Sequence, residues 1–298
     1  MTATSDGMID NLTLPTPEEI GANYDQFTDL YGLTVGDIGL HIGMWSEPGE
    51  REPASTLGDL ANRAQERQTE YHIQTLGLRA QEHLLDIGCG TGLPAVRMAQ
   101  ASGGRVTGIN VSQLHLARAE ETARSHGVSD RVSFRYGNAM ALDFPDESFD
   151  AAMSIDVYTH LSDRQKAFHE TARVLRPGGQ FMMSEFTIRG TPSKAGIAAF
   201  LQVWSSVATT PAQTMELAAN AGFELVKAEN TSQNCAFSGE LMGLLYWDRH
   251  DEIVERYGPE LVAQMDSVMP VLRTFIRDNL GHYLFLFRKP TRPNISPH

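Results

Sequence analysis

The fold of this chain of 298 residues is decided by one short stretch, Leu84-Leu85-Asp86-Ile87-Gly88-Cys89-Gly90-Thr91-Gly92. An apolar run followed by a carboxylate and three alternating glycines predicts a buried strand that turns sharply into a helix. Glycine lacks a Cβ atom, so such a turn can adopt positive φ and let a ligand lie against the backbone. The free N–H groups at the start of the following helix would point at that ligand.

The spacing of the glycines indicates which ligand would lie there. Gly88, Gly90 and Gly92 give the pattern G-x-G-x-G, whereas a dinucleotide-binding turn follows G-x-G-x-x-G. Asp86 stands two residues before the first glycine, and its carboxylate would repel a pyrophosphate but attract an ammonium group. The pattern therefore disfavours a nucleotide-dependent oxidoreductase. A purely structural strand–turn–helix elbow is the alternative.

Hydrophobic periodicity around this turn predicts an α/β fold. Predicted strands alternate with helices, which is typical of a doubly wound, mostly parallel sheet with helices on both faces. In such a sheet a ligand lies beyond the carboxyl ends of the strands, at the point where the strand order reverses. The predicted strands are 83–87, 105–109, 132–136, 149–155, 180–186, 223–227 and 282–288, and the predicted core helices are 93–102, 113–126 and 163–175.

Composition and charge exclude several classes of protein. The net charge is −13 and no cluster of Lys and Arg stands out, so a nucleic-acid partner is not expected. No stretch approaches the ~18 apolar residues of a membrane span, and the polar N-terminus has no signal-peptide pattern. Cys89 and Cys235 form no disulfide framework and fit a reducing cytoplasm. The ten histidines lack the spacing typical of metal ligands, so no metal is expected.

Four ordered motifs carry a resemblance to a known family. The D-x-G-x-G-x-G pattern is followed by Gly137-Asn138-Ala139-Met140, by residues 142–150 and by Arg173-Val174-Leu175-Arg176-Pro177-Gly178-Gly179. Together they resemble the class I S-adenosylmethionine-dependent methyltransferases. The resemblance covers residues 84–186. It implies a Rossmann-like sheet of seven strands with the last one antiparallel, S-adenosyl-L-methionine as cofactor and S-adenosyl-L-homocysteine as product.

A lid and a cap are expected around this core. The lid begins with a helix whose N-cap is Thr16 and whose first residue is Pro17. The expected units are a disordered tail (1–16), a helical lid (17–76), the donor-binding core (77–189), helices of a cap that forms the acceptor site (190–221 and 232–280) and the final core strands (222–231 and 281–290).

The resemblance implies which residues hold the donor. Asn110 stands where the family usually carries an acid for the ribose diol, and Asn138 replaces an Asp that meets the adenine. Asn110 is alternatively a turn residue. The donor-binding residues implied in this way are Asp86, Gly88, Gly90, Gly92, Asn110, Gln113, Asn138, Ala139, Met140 and Tyr24.

Three side chains are candidates for catalysis. His160 matches the second of two adjacent histidines in similar sugar O-methyltransferases, and Thr159 replaces the first. Glu185 matches an Asp of those enzymes, so His160 and Glu185 are expected to act as a proton-accepting pair. Asp156 lies near the position of a Glu that stabilises a carbocation in prenyl-diphosphate C-methyltransferases. The structural alternatives are a helix-start residue for His160, a salt bridge for Glu185 and a helix cap for Asp156.

Aromatic residues of the lid and cap indicate the kind of acceptor. A cavity lined by aromatic residues and Met suits a flat, apolar molecule, and no cluster of Arg is present for a diphosphate. The stretch 40–45 resembles the lid of small-molecule methyltransferases. The acceptor-site residues expected are His41, Trp45, Trp204, Tyr246 and Trp247, each with packing in the core of the lid or cap as its alternative role.

These features predict a small-molecule methyltransferase. The expected reaction is methyl transfer to oxygen, or to carbon such as indole C3, of a mid-sized hydrophobic metabolite of antibiotic or alkaloid biosynthesis. One alternative is a cyclase that binds S-adenosylmethionine without methylating, and another is a prenyl-type C-methyltransferase that uses Asp156. The oligomeric state is left open.

Overall fold

The computed structural model describes residues 14–36, 40–45 and 54–291. The centre of this part of the chain is one seven-stranded sheet. Its strands are β1 (His83–Ile87), β2 (Arg105–Asn110), β3 (Val132–Tyr136), β4 (Phe149–Ile155), β5 (Leu175–Ile188), β6 (Glu224–Asn230) and β7 (Leu280–Arg288). Their order across the sheet is β3-β2-β1-β4-β5-β7-β6.

The sheet is parallel except at its last strand. β1 pairs in parallel with β2 and β4, β2 pairs with β3, and β4 pairs with β5. β7 runs antiparallel between β5 and β6. This arrangement confirms the predicted doubly wound, mostly parallel sheet with one reversed strand. Because the chain order reverses between β1 and β4, their carboxyl ends border a crevice.

Helices cover both faces of the sheet. They are α1 (Pro17–Val35), α2 (Leu57–Leu76), α3 (Leu93–Ser102), α4 (Gln113–Ser125), α5 (Arg164–Val174), α6 (Lys194–Trp204), α7 (Pro211–Asn220), α8 (Ser232–Asp248), α9 (His250–Tyr257) and α10 (Pro259–Asn279). Successive residues of β1 point to opposite faces. Leu84 therefore joins an apolar cluster with Val96 of α3, whereas Leu85 joins the cluster that contains Phe168 of α5.

The first helix begins where the sequence predicts. The Thr16 hydroxyl accepts a hydrogen bond from the Glu19 N–H, and the Glu19 carboxylate accepts one from the Thr16 N–H, which is a capping box. Leu30 and Leu33 of α1 join a third apolar cluster with α6, α8 and α10, beside Phe186 near the end of β5. Of the predicted tail, residues 1–13 lie outside the described part of the chain.

The predicted bounds of β1, β3 and β4 are correct to the residue. β5 is longer than the predicted 180–186 because Leu175 at its start pairs with β4, whereas Thr187 and Ile188 at its end pair with β7. These backbone ladders extend the strand beyond its apolar segment. Within the described residues, no helix has the length and apolar character needed to cross a membrane.

Candidate active site

A cavity lies at the carboxyl ends of β1, β2 and β4, where the strand order reverses. Most of the residues predicted to hold the donor line it, and they are Asp86, Gly88, Gly90, Asn110, Asn138, Ala139, Met140 and Tyr24. The strands and the loops that follow them supply all of these except Tyr24, which comes from α1. We call this space the donor cavity.

The three glycines of the turn have different tasks. All three have positive φ: 76° at Gly88, 51° at Gly90 and 87° at Gly92. A Cβ atom at Gly90 would meet nothing within 4 Å, so this glycine leaves open space beside the cavity. A Cβ atom at Gly88 would lie 2.3 Å from Cγ2 of Val157. Gly92 does not line the cavity, and it permits close packing against Ala119.

Asp86 is a buried carboxyl group without a compensating charge. Its Oδ2 atom has no hydrogen-bond partner among the described residues, and burial raises its pKa to about 8. A buried carboxylate is stabilised by an ammonium group. Such a group is present on the amino-acid end of S-adenosylmethionine, so Asp86 and the open space at Gly90 fit this donor.

The two asparagines shape the loops that border the donor cavity. Oδ1 of Asn110 accepts a hydrogen bond from the Ser112 N–H at 2.9 Å, and Oδ1 of Asn138 accepts one from the Met140 N–H at 2.9 Å. Asn110 thus has the turn role considered as its alternative, while still lining the cavity. Gln113 is exposed and does not line the cavity.

A second cavity, mostly apolar, adjoins the donor cavity. It is lined by lid and cap residues that include Trp45, Phe186, Phe200, Trp204 and Met242. The two cavities share a wall formed by Tyr24, Leu40, His41, Asp156 and His160. We call the second space the acceptor cavity and the shared wall the junction, because a group that moves between the two ligands must pass there.

His160 presents an unprotonated nitrogen at the junction. Its Nδ1 lies 3.1 Å from the Ser205 carbonyl oxygen, which can only accept, so Nδ1 carries the proton. Nε2 therefore accepts a hydrogen bond from the Tyr24 hydroxyl at 3.1 Å. Burial lowers the pKa of His160 to about 4, so the ring is neutral near pH 7. A neutral imidazole with one fixed tautomer is able to accept a proton.

Glu185 lies behind the junction and lines neither cavity. Its carboxyl oxygens accept hydrogen bonds from the Thr159 N–H at 3.1 Å and the Phe186 N–H at 2.9 Å. Burial and the charge of Asp156 raise its pKa to about 8. Within the described residues no hydrogen bond joins Glu185 to His160. The two side chains are therefore not a direct pair, and Glu185 instead anchors the residue that precedes His160.

Asp156 is held in an unusual conformation at the end of β4. Its φ is 56°, a left-handed value that costs a non-glycine residue about 1–3 kcal/mol. Its Oδ1 accepts a hydrogen bond from Nε2 of His282 at 2.9 Å, and its Oδ2 has no partner among the described residues. Sequence reasoning missed His282. A polar residue in an otherwise apolar strand was the available signal, as it was for Glu185.

The aromatic residues predicted for the acceptor site divide into three groups. His41, Trp45 and Trp204 line the acceptor cavity. Tyr246 is buried beside an adjoining space that shares Trp204 and Met242 with that cavity. Trp247 is 54% exposed, stacks on His250 at the surface and does not line the acceptor cavity. The described residues include no group of three or more His, Cys, Asp or Glu that could hold a metal ion.

Comparisons with known proteins agree with this geometry. A family model for a methyltransferase domain matches residues 85–183. A 27-O-demethylrifamycin SV methyltransferase of Amycolatopsis mediterranei is 35% identical over 94% of this chain and 100% of its own. Methyltransferase GfsG of Streptomyces halstedii is 33% identical over 83% of this chain and 86% of its own. The chain belongs to the class I S-adenosylmethionine-dependent methyltransferases, and S-adenosylmethionine is its donor.

A solved structure extends the comparison beyond methyl transfer. The [4+2]-cyclase SpnF superposes with a TM-score of 0.80 at 29% identity, and the match covers 94% of this chain and 98% of the cyclase. The fold is thus common to proteins with different reactions.

Proposed function

We propose that this enzyme methylates an oxygen or a nucleophilic carbon of a mid-sized hydrophobic metabolite in a specialised biosynthetic pathway. The observation that carries the proposal is the junction, where His160 lines both the donor cavity and an apolar acceptor cavity and its Nε2 accepts a hydrogen bond from Tyr24. The rifamycin and GfsG enzymes, which match nearly the full chain, support a small-molecule acceptor.

The residues of the junction have distinct tasks in this proposal. S-adenosylmethionine supplies a methyl group on a positively charged sulfur. Asp86 binds its ammonium group, and Tyr24 covers the cavity from α1. His160 accepts the proton of the acceptor at Nε2, either directly after Tyr24 moves aside or through the Tyr24 hydroxyl. The proton on Nδ1 remains hydrogen-bonded to the Ser205 carbonyl, and this bond fixes the orientation of the imidazole ring.

Glu185 acts on the proton acceptor through the backbone. Its hydrogen bond to the Thr159 N–H holds the turn of residues 158–160. The same arrangement serves carbon methylation of an indole, because removal of the ring N–H proton by His160 makes C3 more nucleophilic. The acceptor in both cases presents an O–H or N–H group within an otherwise apolar body.

The test is to incubate the purified protein with labelled S-adenosylmethionine and a panel of phenols, amino sugars and tryptophan-derived indoles. Mass spectrometry should find one added methyl group on one class, together with S-adenosylhomocysteine. His160→Gln and Glu185→Gln should lower kcat about 100-fold and about 10-fold, while the Kd of S-adenosylhomocysteine stays near the wild-type value. Loss of binding in these variants would show that the side chains hold the fold instead.

A cyclase that binds the donor without methylating is the second candidate, and the similarity to SpnF favours it. Both candidates use the same donor cavity, but only methyl transfer forms S-adenosylhomocysteine. A cyclised product of unchanged mass, formed without S-adenosylhomocysteine, would therefore select the cyclase. If the protein is instead a prenyl-type C-methyltransferase, a prenyl diphosphate should gain the methyl group, and Asp156→Asn should abolish this gain.

A further inference from the structure

We propose that His282 is a positioning residue of this site, which binds one oxygen of the Asp156 carboxylate and thereby fixes the direction of the carboxylate at the junction, where a transferred methyl group would pass. The two side chains are joined by the 2.9 Å bond between His282 Nε2 and Asp156 Oδ1. They are 3% and 4% exposed, so neither exchanges this partner for water. The inference rests on donor binding, and its consequence for the acceptor rests on the proposed function.

His282 is itself fixed on its far side. Its Nδ1 lies 2.7 Å from the Thr231 hydroxyl, and its backbone N–H donates to the Ser232 hydroxyl at 3.1 Å. The imidazole is thus clamped between the loop after β6 and the end of β4. On the Asp156 side, the backbone N–H donates to the Ser184 carbonyl at 2.9 Å. These contacts hold the left-handed backbone of Asp156 and set the direction of its carboxylate.

Asp156 lies at the junction, and one of its oxygens has no partner in the described part of the chain. Asp156 lines both cavities, and its Oδ2 has no partner among the described residues. The other titratable groups that act on it or are affected by it are Tyr24, His41, His72, His160, Glu185 and Cys235. Burial lowers the pKa of His41 and of His72, the latter to about 3, so both are neutral near pH 7.

His282 is therefore the hydrogen-bond partner that opposes the effect of burial on Asp156. Burial would raise the pKa of Asp156, but the charge of His282 and its hydrogen bond outweigh burial and hold the pKa below its usual value. An ionised oxygen in a site of low dielectric attracts positive charge and polar hydrogens strongly. At the junction this oxygen would attract the positively charged sulfur and methyl group of the donor, and an O–H or N–H group of the acceptor.

A test without an acceptor uses sinefungin, an analogue that carries an ammonium group where the donor carries its methyl group. Calorimetry gives the Kd of sinefungin and of S-adenosylhomocysteine from about pH 5.5 to 8.5, and their ratio cancels the contribution of Asp86. We expect the wild type to prefer sinefungin by about tenfold or more, with little change over this range. Asp156→Asn should lose most of that preference at every pH.

The variant His282→Gln separates positioning from simple contact. Without His282, burial raises the pKa of Asp156. The preference should then be lost at the acidic end of the range and return as the pH rises. His250→Gln is the matched control, because it removes the other His–carboxylate pair of the described chain, His250–Asp266, outside the junction. It should leave the ratio and its pH profile unchanged.

A wild-type ratio and pH profile in His282→Gln would overturn the proposal, and so would an unchanged ratio in Asp156→Asn. If His282→Gln binds neither ligand, Thr231→Val tests the same series of hydrogen bonds, because the Thr231 hydroxyl contacts Nδ1 of His282. That variant should reduce the preference about threefold, most strongly at low pH, and an unchanged ratio there also counts against the proposal. Failure of the wild type to bind S-adenosylhomocysteine would refute donor binding instead.

Discussion

If Asp86 binds the ammonium group of the donor, as proposed, its buried carboxyl should couple donor binding to pH. Its pKa is raised to about 8 by burial, so the ligand-free protein carries a proton there at pH 7. An ammonium group binds the ionised form, so binding should release a proton below pH 8. The affinity for S-adenosylhomocysteine should rise with pH, by at most about tenfold per unit, and level off above pH 8.

Calorimetry in buffers of different ionisation enthalpy measures this released proton directly. Asp86→Asn should bind more weakly and lose the pH dependence assigned to Asp86. A wild-type affinity that is constant between pH 6 and 8 would mean that Asp86 is already ionised in the free protein. It would then be a preformed anionic site.

Gly88 and Gly90 should respond differently to the same substitution. Gly88→Ala places a Cβ atom 2.3 Å from Val157 and should lower the free energy of unfolding by about 2–3 kcal/mol. Gly90→Ala meets no protein atom within 4 Å and should cost about 1 kcal/mol, for its left-handed backbone alone. It should nevertheless weaken donor binding, because its methyl group occupies ligand space. Urea unfolding and calorimetry test the two parts, and equal losses of stability would contradict this assignment.

At the scale of elements, α1 is attached to the start of α4. The Asp25 carboxylate accepts hydrogen bonds from the Ser112 hydroxyl and the Leu114 N–H, and Thr28 contacts Nε2 of His115 at 2.8 Å. Because Tyr24 lies on the same helix, this attachment fixes the position of Tyr24 in the wall of the donor cavity. The lid is therefore anchored to the donor-binding core itself.

Asp25→Ala should loosen this attachment and raise the Kd of S-adenosylhomocysteine by about three- to tenfold, since it removes a charged helix cap. Asp29→Ala is the matched control on the same helix. It removes an exposed ion pair with Arg118, which contributes little. Calorimetry compares the two variants, and an equal effect of both would show that charge, and not the specific cap, is responsible.

Local signals predict the elements well and their contacts poorly. β1, β3 and β4 have the predicted bounds because apolar runs and turn residues determine them within a few positions. The bond between Asp156 and His282 joins residues 126 positions apart, and the antiparallel register of β5 and β7 creates it. No local pattern contains that register. Trp247 does not line the acceptor cavity. α8 carries apolar residues on several sides, so spacing alone does not identify its buried face.

At the scale of the whole molecule, the donor cavity joins the lid to the central strands. Donor binding should therefore protect separate parts of the chain together. Hydrogen exchange with and without S-adenosylhomocysteine should slow in Pro17–Val35, 88–91 and 138–140, which border the cavity, and stay unchanged in β6 at the far edge of the sheet. Protection limited to residues 88–91 would mean that α1 is not part of the donor site.

The position of β7 also has a consequence for folding during translation. This strand is last in chain order but lies between β5 and β6, and it brings His282 to Asp156. A nascent chain that stops short of β7 therefore leaves both neighbouring strands with an open edge, which is a site for aggregation. It also leaves the Asp156 carboxylate without its partner. The glycine turn is translated early, but the contact between Asp156 and His282 forms only when β7 inserts between β5 and β6.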